Sequence, residues 1–146
     1  MVVRVSRRTP SPPSSVRDVM TEGLIAAGPG ETLVEIAVRM RDHAVGAVAI
    51  MDGGELKGIV TERDLTRATA DGLSPHETVA EAYMTPAPLT ITAQETVEDA
   101  VSRMVERRIR HLPVVEEGRV MGLISARDVL VDAEPGELGQ LAYEPW

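Results

Sequence analysis

The sequence predicts an α+β fold: two βαββα units packed about a pseudo-twofold axis into one module. The main observation is a duplication. The stretch from Met20 to Asp64 recurs as Met84 to Asp128 at one offset of 64 residues, without a gap. Pairs identical at that offset include Met20/Met84, Thr21/Thr85, Glu31/Glu95, Thr32/Thr96, Arg39/Arg103, Met40/Met104, Gly54/Gly118, Gly58/Gly122, Arg63/Arg127 and Asp64/Asp128. Two copies of so long a period argue for units packed on each other, because open solenoids need at least three repeats to bury their faces. The second observation is size: in a chain of 146 residues neither half can bury a generous core alone, so the halves are expected to fold together. The third is composition, 43% hydrophobic and 26% charged, which is that of a globular domain. With aromatics at 2% and no Phe, the core must be aliphatic.

The elements follow in order. Residues 1–15, with Arg4, Arg7 and Arg8 among Ser and Pro, read as a disordered basic tail. The first repeat is placed at 16–72, a linker at 73–79 and the second repeat at 80–132. In the first repeat Thr32 and Glu35 form a capping box that opens a helix with Leu33, Ile36, Ala37 and Met40 on one face. Thr96 and Asp99 do the same ahead of Val97, Ala100, Val101 and Met104. A β-rich run follows each helix, Gly46 to Met51 and Leu112 to Val115. Each then passes through a Gly-containing turn into Lys57 to Val60 or Val120 to Ile124, which reads as a hairpin. Short helices are expected from Thr61 to Ala70 and from Ser125 to Val131, and an additional strand in each copy at Leu24 to Ala27 and Leu89 to Thr92. A leading segment runs through Val19-Met20 or Tyr83-Met84. Residues 133–146 read as an acidic tail, loose unless Tyr143 and Trp146 dock on a second chain.

Charge and composition exclude several function classes. A net charge of −8 is unfavourable for nucleic acid, whose phosphates demand a basic surface. Zero Cys removes disulfides, thiolate metal sites and Cys nucleophiles, and agrees with a reducing compartment. No run is long and apolar enough to span a membrane, and Met1 to Val16 lacks the apolar core of a secretory signal, so the expected location is cytoplasmic. The histidines, His43, His76 and His111, follow no metal-ligand spacing. There is no nucleophile elbow, Walker loop or dinucleotide fingerprint. No catalysis, no metal and no catalytic cofactor are expected.

The informative chemistry is Thr61-Glu62-Arg63-Asp64 and its mirror Ser125-Ala126-Arg127-Asp128, each where a strand passes into a helix. A hydroxyl beside free N–H groups at a helix start favours phosphate, and a carboxylate one turn on can accept both hydroxyls of a ribose. The same spacing is itself a capping box and explains both tetrads without a ligand, so spacing alone leaves both readings open. For Arg63 and Arg127 an added positive charge and an outward salt bridge are equally compatible. Arg107, Arg108, Arg110 and His111 make a positive patch in an acidic chain.

Taken together, Val16-Arg17-Asp18-Val19-Met20-Thr21, Gly58 to Leu65, Tyr83-Met84-Thr85, Arg110 to Val115 and Gly122 to Val129 resemble a tandem pair of cystathionine-β-synthase-type (CBS) domains, a Bateman module, over residues 16–132. The resemblance implies a regulatory module that binds AMP, ADP, ATP or S-adenosylmethionine between its repeats, and a homodimer that signals to an effector protein. By position, Asp64 and Asp128 would hold the ribose hydroxyls, with Thr61 and Ser125 near phosphate or ribose. Gly46, Ala47 and Val48, with Arg110, His111 and Leu112, would line the adenine and phosphate region. Leu24 to Ala26 and Leu89 to Ile91 would contact the purine. The basic pair Arg110-His111 is matched by Gly46-Ala47 in the first repeat, so two unequal sites are expected, the one with Arg110 and His111 preferring phosphorylated ligand. The alternative is a ligand-free interaction module acting through its dimer surface.

Overall fold

The computed structural model describes residues 14–132, with side chains to Val129. In chain order the elements are α1 (Val16–Val19), β1 (Thr21–Glu22), β2 (Ala26–Ala27), α2 (Leu33–His43), β3 (Ala47–Asp52), β4 (Glu55–Thr61) and α3 (Glu62–Ala70). They continue with α4 (Ala80–Tyr83), β5 (Thr85–Pro86), α5 (Val97–Arg107), β6 (His111–Glu116), β7 (Arg119–Ser125) and α6 (Ala126–Asp132). The acidic tail lies outside the described residues, as does the basic tail apart from Ser14 and Ser15. Those two are pinned: the Ser15 N–H donates to Asp18, and the Ser14 carbonyl accepts from Val97 at 2.9 Å.

Each repeat supplies one hairpin, with β3 antiparallel to β4 and β6 antiparallel to β7. The turns are tight because positive φ is available at both central positions, Gly53 and Gly54 at 57° and 80°, Glu117 and Gly118 at 49° and 76°. The long helices open as their capping boxes predict: Thr32 Oγ1 accepts from the Glu35 N–H at 3.3 Å and Thr96 Oγ1 from Asp99 at 3.1 Å. Two pairs conserved between the repeats are explained by a duplicated ion pair, Arg39 with Glu31 and Arg103 with Glu95. The bonded guanidinium holds each carboxyl below its usual range.

The additional strands are shorter than expected. β2 is two residues, parallel to β3, and its counterpart is a single bridge from Ile91 to Val114. The leading segments are single helical turns, and they cross over. Val16 and Met20 pack in the second core with Ile91, Val97, Met104, Leu112 and Ile124. Ala80 packs in the first core with Leu33, Ile36, Met40, Val48, Ile50 and Val60, flanked by Tyr83 and Met84. The backbone follows. The Val16 N–H donates to Glu95 O and the Ala80 N–H to Glu31 O, both at 2.8 Å, while β1 pairs with β7 and β5 with β4.

Two lobes result, each built from one repeat plus the other's leader. The first holds the sheet β2-β3-β4-β5, the second β1-β7-β6. This exchange fixes the lobes against each other at short range. It also explains Gly58 and Gly122, whose strands are approached closely by the crossing segments: a Cβ on Gly58 would lie 2.8 Å from Thr85 O, and one on Gly122 2.2 Å from Thr21 O.

Candidate functional site

The N-terminal ends of β3 and β6 meet where the lobes join, with His111 Nε2 3.2 Å from the point a Cβ on Gly46 would occupy. A cleft of about 870 Å³ opens there, within the range of small-molecule sites. Its walls come from both lobes. The first gives Gly46 and Ala47 at the start of β3, Glu62 at the start of α3, and Arg41, His43 and Ala44 at the end of α2. The second gives Arg110, His111, Ser125, Arg127 and Asp128, while Thr21, Gly23 and Ile25 come from the crossing leader and the segment after it.

Residues given a site role from sequence meet in this one cleft, among them Ile25, Gly46, Ala47, Arg110, His111, Ser125, Arg127 and Asp128. The two strand starts that were expected to distinguish unequal sites, Gly46-Ala47 and Arg110-His111, both line this cleft. Others do not line this cleft, among them Val48, Thr61, Arg63, Asp64, Leu89 and Leu112. Leu112 is fully buried in the second core and Leu89 is an exposed side chain. Thr61 and Asp64 form a closed local pair, and the Arg63 Nη1 donates at 3.2 Å to the carbonyl of Arg108, tying α3 to the end of α5. Several lining residues escaped the sequence reading, among them Thr21, Glu62, Arg41 and His43. Thr21 was within reach, since it lies in a leader motif already singled out.

The two aspartates share a sequence pattern but differ in surroundings. Both carboxylates accept from the tetrad hydroxyl residue through Oδ2: Asp64 from Thr61 N at 2.8 Å and Oγ1 at 3.2 Å, Asp128 from Ser125 N at 2.8 Å and Oγ at 3.0 Å. Asp64 is 4% exposed and its Oδ1 lies 3.6 Å from Arg67. Arg67 stands over the ring of Tyr83, whose hydroxyl donates to Asp71. The residue equivalent to Arg67 in the second repeat is Val131. Asp128 is half-buried and lines the cleft, with Oδ1 not engaged by the cap.

Charge in the cleft is mixed. Arg41, Arg110 and Arg127 face Glu62 and Asp128. His111 is not part of the positive set near neutral pH: burial pushes its pKa down to about 4, Arg110 pushes the same way, and Asp128 pulls against both. The basic pair read from sequence is thus one cation and one neutral imidazole. A second groove, of about 360 Å³, lies outside between α2 and α3; apart from Arg41 and Thr69 its lining is apolar, with no carboxylate to accept a diol.

Two twinned α/β lobes with exchanged leaders and a cleft at their junction define a tandem-repeat domain pair. The chain belongs to the CBS domain family, whose model matches residues 16–71 and 77–132. It is 34% identical to the CBS domain-containing protein YhcV of Bacillus subtilis, over 85% of this chain and 89% of that one. It is 38% identical to protein MK0525 of Methanopyrus kandleri over 80% of this chain, and spans 61% of that relative's length. Among solved structures it resembles the CBS domain pair of protein MJ0100 in complex with 5′-methylthioadenosine and S-adenosyl-L-methionine. That likeness has a TM-score of 0.76 and 27% identity, covering 82% of this chain and 95% of that one. Among the described residues no helix is long and apolar enough to cross a membrane.

Proposed function

We propose that this chain is a non-catalytic regulatory module whose interlobe cleft takes an adenosine-containing ligand and reports its occupancy to a partner protein. The observation that carries the reading is Asp128: a carboxylate held by a helix cap at one oxygen, at the wall of a cleft of about 870 Å³ that also presents Ser125, Arg127 and Arg110. Its Oδ1 accepts the ribose diol, Arg110 and Arg127 meet phosphate, and Ile25 with Leu123 gives the purine an apolar face in a chain almost without aromatic rings. The adenosyl ligands bound to the related pair of MJ0100 support the ligand class. Because the cleft walls belong to different lobes, a bound ligand favours one angle between them, and the outer surface changes with it.

A non-catalytic role is supported by the family match, in which residues 16–71 and 77–132 are both CBS domains. The second reading, an interaction module acting as a homodimer, is favoured by the outer groove, where Val38 and Leu73 are exposed beside Leu33 and Leu65.

Thermal unfolding with adenosine, AMP, ADP, ATP and S-adenosylmethionine separates the two. One of these at 100 times its dissociation constant is expected to add about 2.7 kcal/mol of stability. An unchanged transition with all five would leave the interaction module as the reading.

A further inference from the structure

We propose that Glu62 selects which adenosyl ligands the cleft takes, favouring a cationic 5′ substituent such as the sulfonium of S-adenosylmethionine and disfavouring a 5′ phosphate. The inference rests on the cleft being an adenosyl site.

The tetrads at the two strand-to-helix junctions differ in charge at one position, Glu62 in the first copy and Ala126 in the second. Both residues line the cleft, and their backbones are held alike: the Glu62 N–H donates to Gly46 O at 3.0 Å and the Ala126 N–H to Arg110 O at 2.8 Å. The carboxylate is thus an addition to one wall that the duplicated scaffold does not require. Among the described residues it enters no ion pair or hydrogen bond, whereas Glu31, Glu55, Glu95 and Glu116 all have cationic partners. Its Oε2 and Cδ stand 3.3 and 3.4 Å from the point a Cβ on Gly46 would occupy, so glycine at position 46 makes room for it. His111 Nε2 approaches the same point from the other lobe, and His111 pairs in the β6–β7 ladder with Ser125, whose hydroxyl donates to Asp128. One imidazole therefore separates Glu62 from the carboxylate that holds the ribose. With the purine against Ile25 and Leu123, the 5′ substituent is the part of the ligand left to meet Glu62.

Adenosyl ligands differ in the charge they bring to that place. Arg110 and Arg127 donate to phosphate and to amino-acid carboxylate oxygens alike, so they do not tell the two classes apart. Glu62 does. Its carboxylate attracts the sulfonium at the 5′ carbon and the ammonium beyond it, and repels a phosphate dianion. One group supplies both the attractive and the repulsive part of the discrimination. 5′-Methylthioadenosine keeps the sulfur but carries neither charge, so its affinity has no contribution from Glu62.

The test is calorimetric titration of wild type and Glu62→Gln with S-adenosylmethionine, 5′-methylthioadenosine and AMP near neutral pH, at low and at raised salt. Gln keeps the shape of an exposed side chain at the start of α3, so the fold is retained. An ion pair open to solvent is worth up to about fivefold in affinity. Glu62→Gln is therefore expected to weaken S-adenosylmethionine by about fivefold, to strengthen AMP by about the same factor, and to leave 5′-methylthioadenosine within about twofold. Added salt is expected to narrow the gap between wild type and variant for S-adenosylmethionine, a response that a purely structural role of Glu62 would not give. A loss common to all three ligands, or an unchanged ratio of S-adenosylmethionine to AMP affinity, overturns the role of Glu62 and leaves the adenosyl site in place. Absence of binding by all three to the wild type overturns the adenosyl reading along with it.

Discussion

Replacing Gly122 with alanine is expected to lower the melting temperature by several degrees and to loosen β1. The added Cβ would sit 2.2 Å from the Thr21 carbonyl oxygen and 3.2 Å from its carbonyl carbon, and both are backbone atoms that no rotamer change can move aside. Gly122 faces Glu22 in the β1–β7 ladder, so relief requires the crossing strand to shift as a unit. Overpacking of this kind costs about 1–3 kcal/mol, and in a chain this size each kcal/mol is worth roughly 2–8 °C. The effect reaches the cleft, because Thr21 and Leu123, paired in that ladder, both line it. Scanning calorimetry and hydrogen exchange at the β1–β7 amides check this. A melting temperature unchanged within about 1 °C, with β1 protection intact, would show that the exchanged leader does not fasten the lobes.

The two aspartates are expected to respond differently to the same substitution. Asp128→Ala removes the carboxylate at the cleft wall, and losing a charge-assisted acceptor for the ribose is worth about 1.5–3 kcal/mol, or roughly 10- to 150-fold in affinity. Asp64→Ala removes a carboxylate that is 4% exposed and engaged by Thr61 and Arg67. Its cost is the cap, about 0.5–2 kcal/mol of stability, with ligand affinity within about threefold of wild type. Asp128→Ala also loses a cap, so stability falls for both and only affinity separates them. Titration with AMP or ATP checks this, and equal losses of affinity at the two positions would contradict it.

The duplication told more than its motifs. It placed helices, hairpins and caps, and even the pairs with no evident role acquired one: Glu31/Arg39 and Glu95/Arg103 are matched ion pairs, and Gly58 and Gly122 make room for crossing strands. The crossing itself was not legible. Val16, Met20 and Ala80 announce burial by being apolar, but hydrophobicity does not say in which lobe. Nor could the [ST]-x-x-[DE] pattern separate Asp64 from Asp128, because the capping geometry is alike in both. What separates them lies around the cap: Arg67 stands beside Asp64, which is 4% exposed, while Asp128 is half-buried at the cleft wall. The charge of His111 was equally hidden, since it depends on burial where the lobes meet.

Mapping amide shifts by heteronuclear NMR as AMP is added tests most directly whether the junction of the lobes is a nucleotide site. Shifts are expected to concentrate at Ser125 to Asp128, at Gly46 and Ala47, and at Thr21 on the crossing leader. A response confined to the outer groove between α2 and α3, or no response at saturating nucleotide, would contradict it.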